Sequence, residues 1–392
     1  MKLPLGYRYA AAYAGIRKDQ RNDVGLIVSE PVAQGAAVFT QNIVQAAPIR
    51  IARKHLKSSK GRVAAVLVNA GNANCATQTG DRVALACSRA VAKALKTRTE
   101  YVLPASTGVI GLELDPKRIT NAVAGLASKL SPDAFKDVAE AILTTDTRPK
   151  WVSGEVQLAQ GAVRTAGMTK GSGMIHPNMA TTLGFVMTDA ALEAKQLRDI
   201  LAGAIECSYN SLSVDGDTST NDMVLPLANG ASRVRPGRGE VHLLRQQIAS
   251  LMEDLARQIA GDGEGARKLI TVRARGFKTA DEARRVARAV ANSLLVKTAI
   301  TGSDANWGRI LAAAGYSGVE FDPSHVDVYL QRVLVCRRGV AAEFNEAEVK
   351  QTLNEREIEI EIVLSGKNKA EARFFTCDLT EGYIQINGSY RT

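Results

Sequence analysis

Aromatic residues make up only 5% of the chain, and 392 residues include just four histidines and five cysteines. So few aromatics leave little for a surface that stacks single-stranded nucleic acid. Cys75, Cys87, Cys207, Cys336 and Cys377 are odd in number and form no C-x-x-C pair. That pattern argues against a disulfide framework or a zinc site and fits a reducing cytoplasm. His55, His176, His242 and His325 are equally scattered, without an H-E-x-x-H pair, so metal-dependent hydrolysis has no support. His176 reads as a packing or hydrogen-bonding residue. No apolar run reaches the roughly 18 residues that a membrane span needs, and mean hydropathy is −0.08. The P-loop, the G-x-S-x-G elbow and a complete G-x-G-x-x-G are all missing.

With 45% hydrophobic and 23% charged residues, the chain has material for one large or two ordinary globular domains. Its net charge of +10 is unevenly spread. Residues 1–180 carry 24 basic and 12 acidic side chains, residues 181–392 carry 26 and 28. The densest run, Arg50–Arg62, holds six Lys or Arg and no acid. Such a surplus can steer anionic ligands, but a solvated face explains it as well. A nucleic-acid-binding protein has no further support, because no helix-turn-helix, RRM or zinc module is evident. The opening MKLPLGYRYAAAYAG imitates a signal peptide, yet Pro4 and Arg8 interrupt it, and it reads as part of the folded protein.

Strand and helix patterns alternate. Arg62–Asn69, Thr182–Met187 and Lys268–Arg275 read as strands, and Tyr101–Val109 as a strand opening into a loop. Asp81–Lys96 (with Asp81 as N-cap), Pro116–Leu130, Ser131–Leu143, Glu193–Ile205, Arg245–Gly261 and Thr279–Lys297 read as helices. After Gly315 the pattern shifts to short strands at Val326–Leu330, Ile358–Val363, Arg373–Cys377 and Tyr383–Ile386. The expected fold class is a layered α/β or α+β architecture.

Chemistry concentrates in Lys170-Gly-Ser-Gly-Met-Ile-His-Pro-Asn-Met-Ala-Thr-Thr182. One reading is a Gly-rich connector into a strand. Another is self-cleavage: the Thr181 hydroxyl attacks the Ala180 carbonyl, and hydrolysis leaves Thr181 as a new N-terminus. Its α-amine, with an intrinsic pKa near ~8, would then serve as base for its own hydroxyl, with no His or Lys partner. Pro104-Ala-Ser-Thr-Gly-Val-Ile-Gly111 is either a plain strand-to-helix turn or a donor pair for a developing oxyanion, with the Thr107 hydroxyl and the Gly108 N–H. Asn69–Asn74, Asp215–Asp222 and Gly302–Ile310 are dense in Asn, Asp and Ser, which Asx and Ser/Thr turns explain when each is taken singly. The Asp215–Asp222 carboxylates do not satisfy the calcium-loop pattern. Gly261-Asp-Gly-Glu-Gly265 is too acidic for a phosphate nest; it reads as a solvated turn or as a carboxylate holding a substrate amine.

Taken together, KGSGMIHPNMATT, PASTGVIG, NAGNANCAT, DGDTSTND, GDGEGA, GSDANWGRI and NGSYRT, in this order, resemble the ornithine acetyltransferase family, also called the glutamate N-acetyltransferase or ArgJ family. YRYAAAYAGIRKD and FTQNIVQAAPI extend the resemblance over the whole chain. It implies an α+β layered sandwich and a precursor cut into an α chain (1–180) and a β chain (181–392), with about 280–392 as a smaller lobe. It also implies assembly of two α and two β chains. The implied reaction moves acetyl from N2-acetylornithine to glutamate in arginine biosynthesis. No cofactor is implied, although some members take acetyl-CoA as donor, and neither nucleic acid nor membrane is a partner. By motif, Thr181 is the nucleophile, Ala180–Thr181 the scissile bond, and Thr107 with Gly108 the oxyanion hole. Thr144 (or its neighbour Thr145), Lys170, Glu264, Asn387 and Thr392 would contact substrate. Thr182 and Gly184 stand where methionine and alanine are more usual, and the tail lacks the expected acidic residues.

Overall fold

The computed structural model of the chain describes residues 1–176 and 182–389. Ala180, Thr181 and Thr392 therefore lie outside the described residues. The fold is a layered mixture of two sheets and eleven helices among the described residues.

The first sheet comprises β1 (Tyr7–Ala12), β2 (Val24–Gly35), β3 (Val38–Phe39), β4 (Arg62–Asn69), β5 (Val102–Ser106), β6 (Lys150–Leu158), β7 (Gly161–Lys170), β8 (Leu183–Thr188) and β9 (Met223–Ala228). Its order is β5-β4-β2-β9-β8-β7-β6, with β1 beside β2 and β3 beside β9. The pairs β4–β5 and β8–β9 are parallel. The Ala-rich opening is β1, in register with β2 from Tyr7↔Ser29 to Ala12↔Val24.

Helices cover both faces: α1 (Ala47–Ser58), α2 (Gly80–Ala94), α3 (Pro116–Ser128), α4 (Phe135–Ala141), α5 (Ala194–Cys207) and α6 (Val241–Ala260). Side chains alternate across each strand. Ile27, Val66, Val68, Phe185 and Met187 share a cluster with Ile49 of α1 and Phe135 of α4. Leu26, Val28 and Leu67 face the other way, onto Val91 of α2 and Leu126 of α3. Val186 and Val224 meet Leu201 of α5 and Leu255 of α6. Burial on both faces is why segments such as RVAAVLVN read as continuous apolar runs. The basic run lies on and after α1, where Arg50 pairs with Asp81 and the Arg53 guanidinium covers the Phe39 ring.

The second sheet holds β10 (Leu269–Phe277), β11 (Val326–Leu330), β12 (Val333–Arg337), β13 (Val340–Ala341), β14 (Glu357–Leu364) and β15 (Ala370–Cys377), in the order β13-β12-β11-β14-β10-β15. Accompanying it are α7 (Ala280–Asn292), α8 (Leu294–Thr301), α9 (Trp307–Gly315), α10 (Glu346–Thr352) and α11 (Glu381–Ser389). Its core sets Val286, Val290 and Ile310 against Val272, Ile360 and Phe374. Phe375 and Cys377 join the α5–α6 cluster, and Ser213 N–H donates to Phe375 O at 2.9 Å, so the sheets share apolar surface.

Four sequence expectations need correction. Tyr383–Ile386 is not a strand but part of α11; a short apolar run carries no reliable period. Thr279–Lys297 is two helices, broken at Ser293, whose side chain accepts Val296 N–H and caps α8. Ser131–Leu143 begins as a short 3-10 turn at Pro132–Ala134 before α4 starts. Asp81 lies inside α2, and Thr79 holds the N-cap position.

Candidate active site

Thr107 directly follows β5, in a loop braced by amide side chains. Ser106 Oγ donates to Asn69 Oδ1 at 2.6 Å, Asn69 Nδ2 to Asn72 O at 2.9 Å, and Thr107 N–H to Asn69 O at 2.9 Å. Asn221 Nδ2 reaches Ala73 O at 2.6 Å and Ser106 O at 2.9 Å. The Asn69–Asn74 cluster thus braces the loop that carries Thr107 and Gly108. Gly108 has φ +128°, and a Cβ there would lie 2.3 Å from Gly71 C and 2.6 Å from Asn72 N. Only glycine lets the two backbones approach so closely.

Lys170 closes β7, paired with Leu183 at the start of β8. Its Nζ donates to Thr144 Oγ1 at 2.8 Å and to Thr107 Oγ1 at 3.2 Å. Of the two adjacent threonines, Thr144 makes the bond, while Thr145 also lines the cavity. Burial lowers the Lys170 pKa below its ordinary value, with Asp146 first among the opposing charges.

Under these residues lies an ion cluster that no motif announced. Lys150 Nζ, from β6, sits 2.6 Å from Asp146 Oδ1 and 2.5 Å from Asp262 Oδ2, with all three side chains buried. Asp146 also accepts N–H bonds from Gly171 (2.7 Å) and Thr144 (3.0 Å). Asp262 accepts Thr147 N–H at 3.1 Å and the Thr147 hydroxyl, while its carbonyl accepts Ser172 Oγ at 2.6 Å. The cluster therefore laces together residues 144–147, 170–172 and 261–265. Burial works against ionisation of Asp146, but Lys150 and Lys170 outweigh it and hold the carboxyl below the usual range. The acidic segment 261–265 is accordingly no solvated turn, since Asp262 and Glu264 are both buried.

Glu264 N–H donates to Ser172 O at 2.8 Å, and Glu264 Oε2 accepts Asn387 Nδ2 at 2.7 Å. Asn387 and Tyr383 sit one helical turn apart on α11, and both line the cavity. This cavity, of about 190 Å3, brings together Thr107, Gly108, Thr144, Lys170, Glu264 and Asn387, six of the residues singled out in the sequence.

Among the described residues the lining has one cation, Lys170, and three carboxylates, Asp215, Asp217 and Glu264. A zwitterionic amino acid suits such a lining, with Lys170 able to pair a carboxylate and the acids an ammonium. No described cluster of three or more His, Cys, Asp or Glu is placed to hold a metal. His176 Nδ1 lies 3.4 Å from Ser213 Oγ, the hydrogen-bonding place expected of it. The Gly302–Ile310 segment serves as a turn and cap: Asn306 Oδ1 accepts Arg309 N–H at 3.2 Å, and none of its residues lines the cavity.

The two departures after the cleavage motif also have physical reasons. Thr182 donates its hydroxyl to Lys170 O, tying β8 to the lysine. At Gly184 a Cβ would come 2.8 Å from Tyr209 Oη, which occupies the room an alanine would need. No helix among the described residues is long and apolar enough to cross a membrane.

Known proteins share this sequence along its length. A model of the ArgJ family matches residues 8–392. A Symbiobacterium thermophilum protein named "Arginine biosynthesis bifunctional protein ArgJ" is 46% identical over 395 residues, which are 99% of this chain and 98% of that protein. One of the same name from Thermotoga neapolitana is 42% identical over 400 residues, 100% of both. A crystal structure of Arginine biosynthesis bifunctional protein argJ from Bacillus halodurans is 38% identical with a TM-score of 0.51, covering 53% of this chain and 98% of that one. With the motif residues converging on one cavity and similarity running nearly end to end, the chain belongs to the ArgJ family.

Proposed function

We propose that this chain is a glutamate N-acetyltransferase of arginine biosynthesis, which moves acetyl from N2-acetylornithine to glutamate through an acetyl-Thr181 ester. The observation that carries the reading is the Lys170–Thr107 hydrogen bond. An ammonium has donors only, so it fills a lone pair of the Thr107 oxygen and leaves the hydroxyl proton free to donate elsewhere. Beside it, the Gly108 N–H offers a second donor for the oxyanion of an acyl-transfer step.

In the first half-reaction the Thr181 hydroxyl adds to the acetyl carbonyl. Its proton passes to the Thr181 α-amine and then to the departing α-nitrogen, so that ornithine leaves and the acetyl ester remains. Glutamate then enters, its α-amine attacks the ester, and the proton path runs back to the Thr181 oxygen. Donor and acceptor are both α-amino-acid derivatives, so one cavity serves both halves. Lys170 would hold the α-carboxylate, while Glu264, oriented by Asn387, would hold the ornithine side-chain ammonium. Thr144 would contact the same substrate end as Lys170, and Thr392 would contact substrate as well.

This chemistry requires Thr181 to be N-terminal, hence self-cleavage at Ala180–Thr181 into chains 1–180 and 181–392. The reading is supported by the Bacillus halodurans chain, which is 98% covered yet matches only 53% of this one, about the share that residues 181–392 make up. Two copies of each chain would form the enzyme, in a cytoplasmic setting that suits five unpaired cysteines. Acetyl-CoA, if taken as a donor, would acylate the same threonine.

The test is to incubate the protein with N2-acetylornithine, with and without glutamate. Ornithine release that depends on glutamate is expected. Equal release without glutamate would make the chain an amidase that uses water as acceptor.

A further inference from the structure

Asp215 belongs to an acidic segment whose side chains suggest a turn or a cation cluster, yet its carboxylate is already filled by main-chain donors. Oδ2 accepts Met174 N–H at 2.6 Å, and Oδ1 accepts Ile175 N–H at 2.9 Å and Asp217 N–H at 3.1 Å. The residues before it add to the grip: Val214 N–H and Ser213 Oγ both donate to Ile175 O, at 2.9 and 3.1 Å. At the other end of the same segment, Gly171 N–H is held by Asp146, Ser172 Oγ by Asp262 O, and Ser172 O by Glu264 N–H. Residues 171–175 are thus pinned from three distant parts of the chain.

The pinned conformation is not one the segment would choose alone. Met174 has φ +55°, a left-handed geometry that costs a residue bearing a Cβ, and such strain persists only where the surroundings over-determine it. At Gly173 a Cβ would fall 2.3 Å from Glu264 Oε2, so the segment runs hard against the cavity wall. Asp215 itself lines that cavity. In sequence, Ala180 follows Ile175 by five positions.

We propose that Asp215 is a positioning residue for self-cleavage at Ala180–Thr181, acting through the Met174 and Ile175 amides that it holds. The inference rests on the reading of Thr181 as nucleophile. In the cleavage itself, Thr181 Oγ adds to the Ala180 carbonyl carbon and the C–N bond breaks. The nitrogen takes the hydroxyl proton, and water then hydrolyses the ester to the Ala180 carboxylate and a free Thr181. Asp215 forms and breaks no bond in this sequence. Aspartate is required because both its oxygens accept, whereas asparagine would turn an NH2 group toward one of the two sets of N–H donors.

The experiment follows newly made full-length chain over time on denaturing gels, for the wild type and three variants. Asp215→Asn should split about tenfold or more slowly, since charge-assisted bonds to two amides are weakened. Adding Met174→Gly to Asp215→Asn should restore part of the rate, because glycine adopts positive φ without the clamp. Met174→Pro, which removes the same N–H and forbids positive φ, should slow splitting with Asp215 intact. Thermal melts of Asp215→Asn in an uncleavable Thr181→Ala background check the fold independently of cutting.

Wild-type splitting rates in Asp215→Asn would overturn the proposal. So would wild-type rates in Met174→Pro, even if Asp215→Asn fails to fold. No recovery in the Met174→Gly double variant would also count against it. A wild-type chain that never splits would refute the Thr181 reading itself, a result distinct from unaltered splitting in the variants.

Discussion

Asn387 Nδ2 donates to Glu264 Oε2 at 2.7 Å, joining the last helix to the loop after α6 across 123 positions of sequence. The bond occupies one carboxylate oxygen and fixes the plane of the other. A substrate ammonium therefore meets an oriented acceptor.

Asn387→Ala should release Glu264 and raise KM for N2-acetylornithine about tenfold or more, as expected for losing one hydrogen bond to a charged group. The kcat should move less, because the bond is remote from the acetyl carbonyl. Steady-state kinetics with the donor varied at saturating glutamate give the split.

Gly108→Ala should be far more damaging. The new Cβ would push against the backbone of Gly71 and Asn72 and displace the Gly108 N–H. Losing one oxyanion donor costs on the order of 10²-fold in kcat. If the same donors assist self-cleavage, splitting of the precursor should slow as well, which a gel time course reads directly.

Lys170 sets a pH dependence with a definite sign. Only the ammonium can hold the substrate carboxylate, and burial lowers its pKa below the ordinary lysine value of about 10.4. On the alkaline side, kcat/KM for N2-acetylornithine should therefore fall as pH rises through that lowered value. Lys170→Met should be weak at every pH. Lys170→Arg, which stays charged, should lose the alkaline limb, and a limb unchanged in this variant would assign the titration elsewhere.

Lys150→Met tests the buried cluster. It leaves Asp146 and Asp262 facing each other without their cation, at a cost of about 3–5 kcal/mol for a broken buried pair. A clear drop in Tm at neutral pH is expected, partly recovered when Asp262→Asn is added. Asp146 also links the fold to acid. Its folded carboxyl is held below its unfolded value, so its contribution is full above the ordinary carboxylate range and is lost as pH falls through the folded value. Asp146→Asn should flatten this part of the acid melt.

The sequence makes some of this legible and hides the rest for physical reasons. Strands buried on both faces, such as Arg62–Asn69, announce themselves as apolar runs. Val24–Gly35 and Lys150–Leu158 do not, because glycine, proline or polar residues interrupt their pattern. The motifs that carry Thr107, Gly108, Thr144, Lys170, Glu264 and Asn387 pick out residues that meet in one cavity, although nothing in their spacing requires it. The supports of these residues leave no such mark. Lys150 and Asp262 pair across 112 positions, and Asp215 serves backbone amides 40 and 41 positions away, so no local signal connects them. Asp262 and Asp215 stand inside the acidic segments noticed in the sequence, but side-chain type alone does not distinguish a buried brace from a solvated turn.

Acetyl transfer through Thr181 of a self-cleaved chain leaves a covalent mark that intact mass can read. Purified protein given N2-acetylornithine without glutamate should yield two chains, residues 1–180 and 181–392. The second should carry one acetyl group that disappears when glutamate is added. A single uncut chain with full transferase activity, or two chains that turn over substrate with no acetyl on the one beginning at Thr181, would rule out this route.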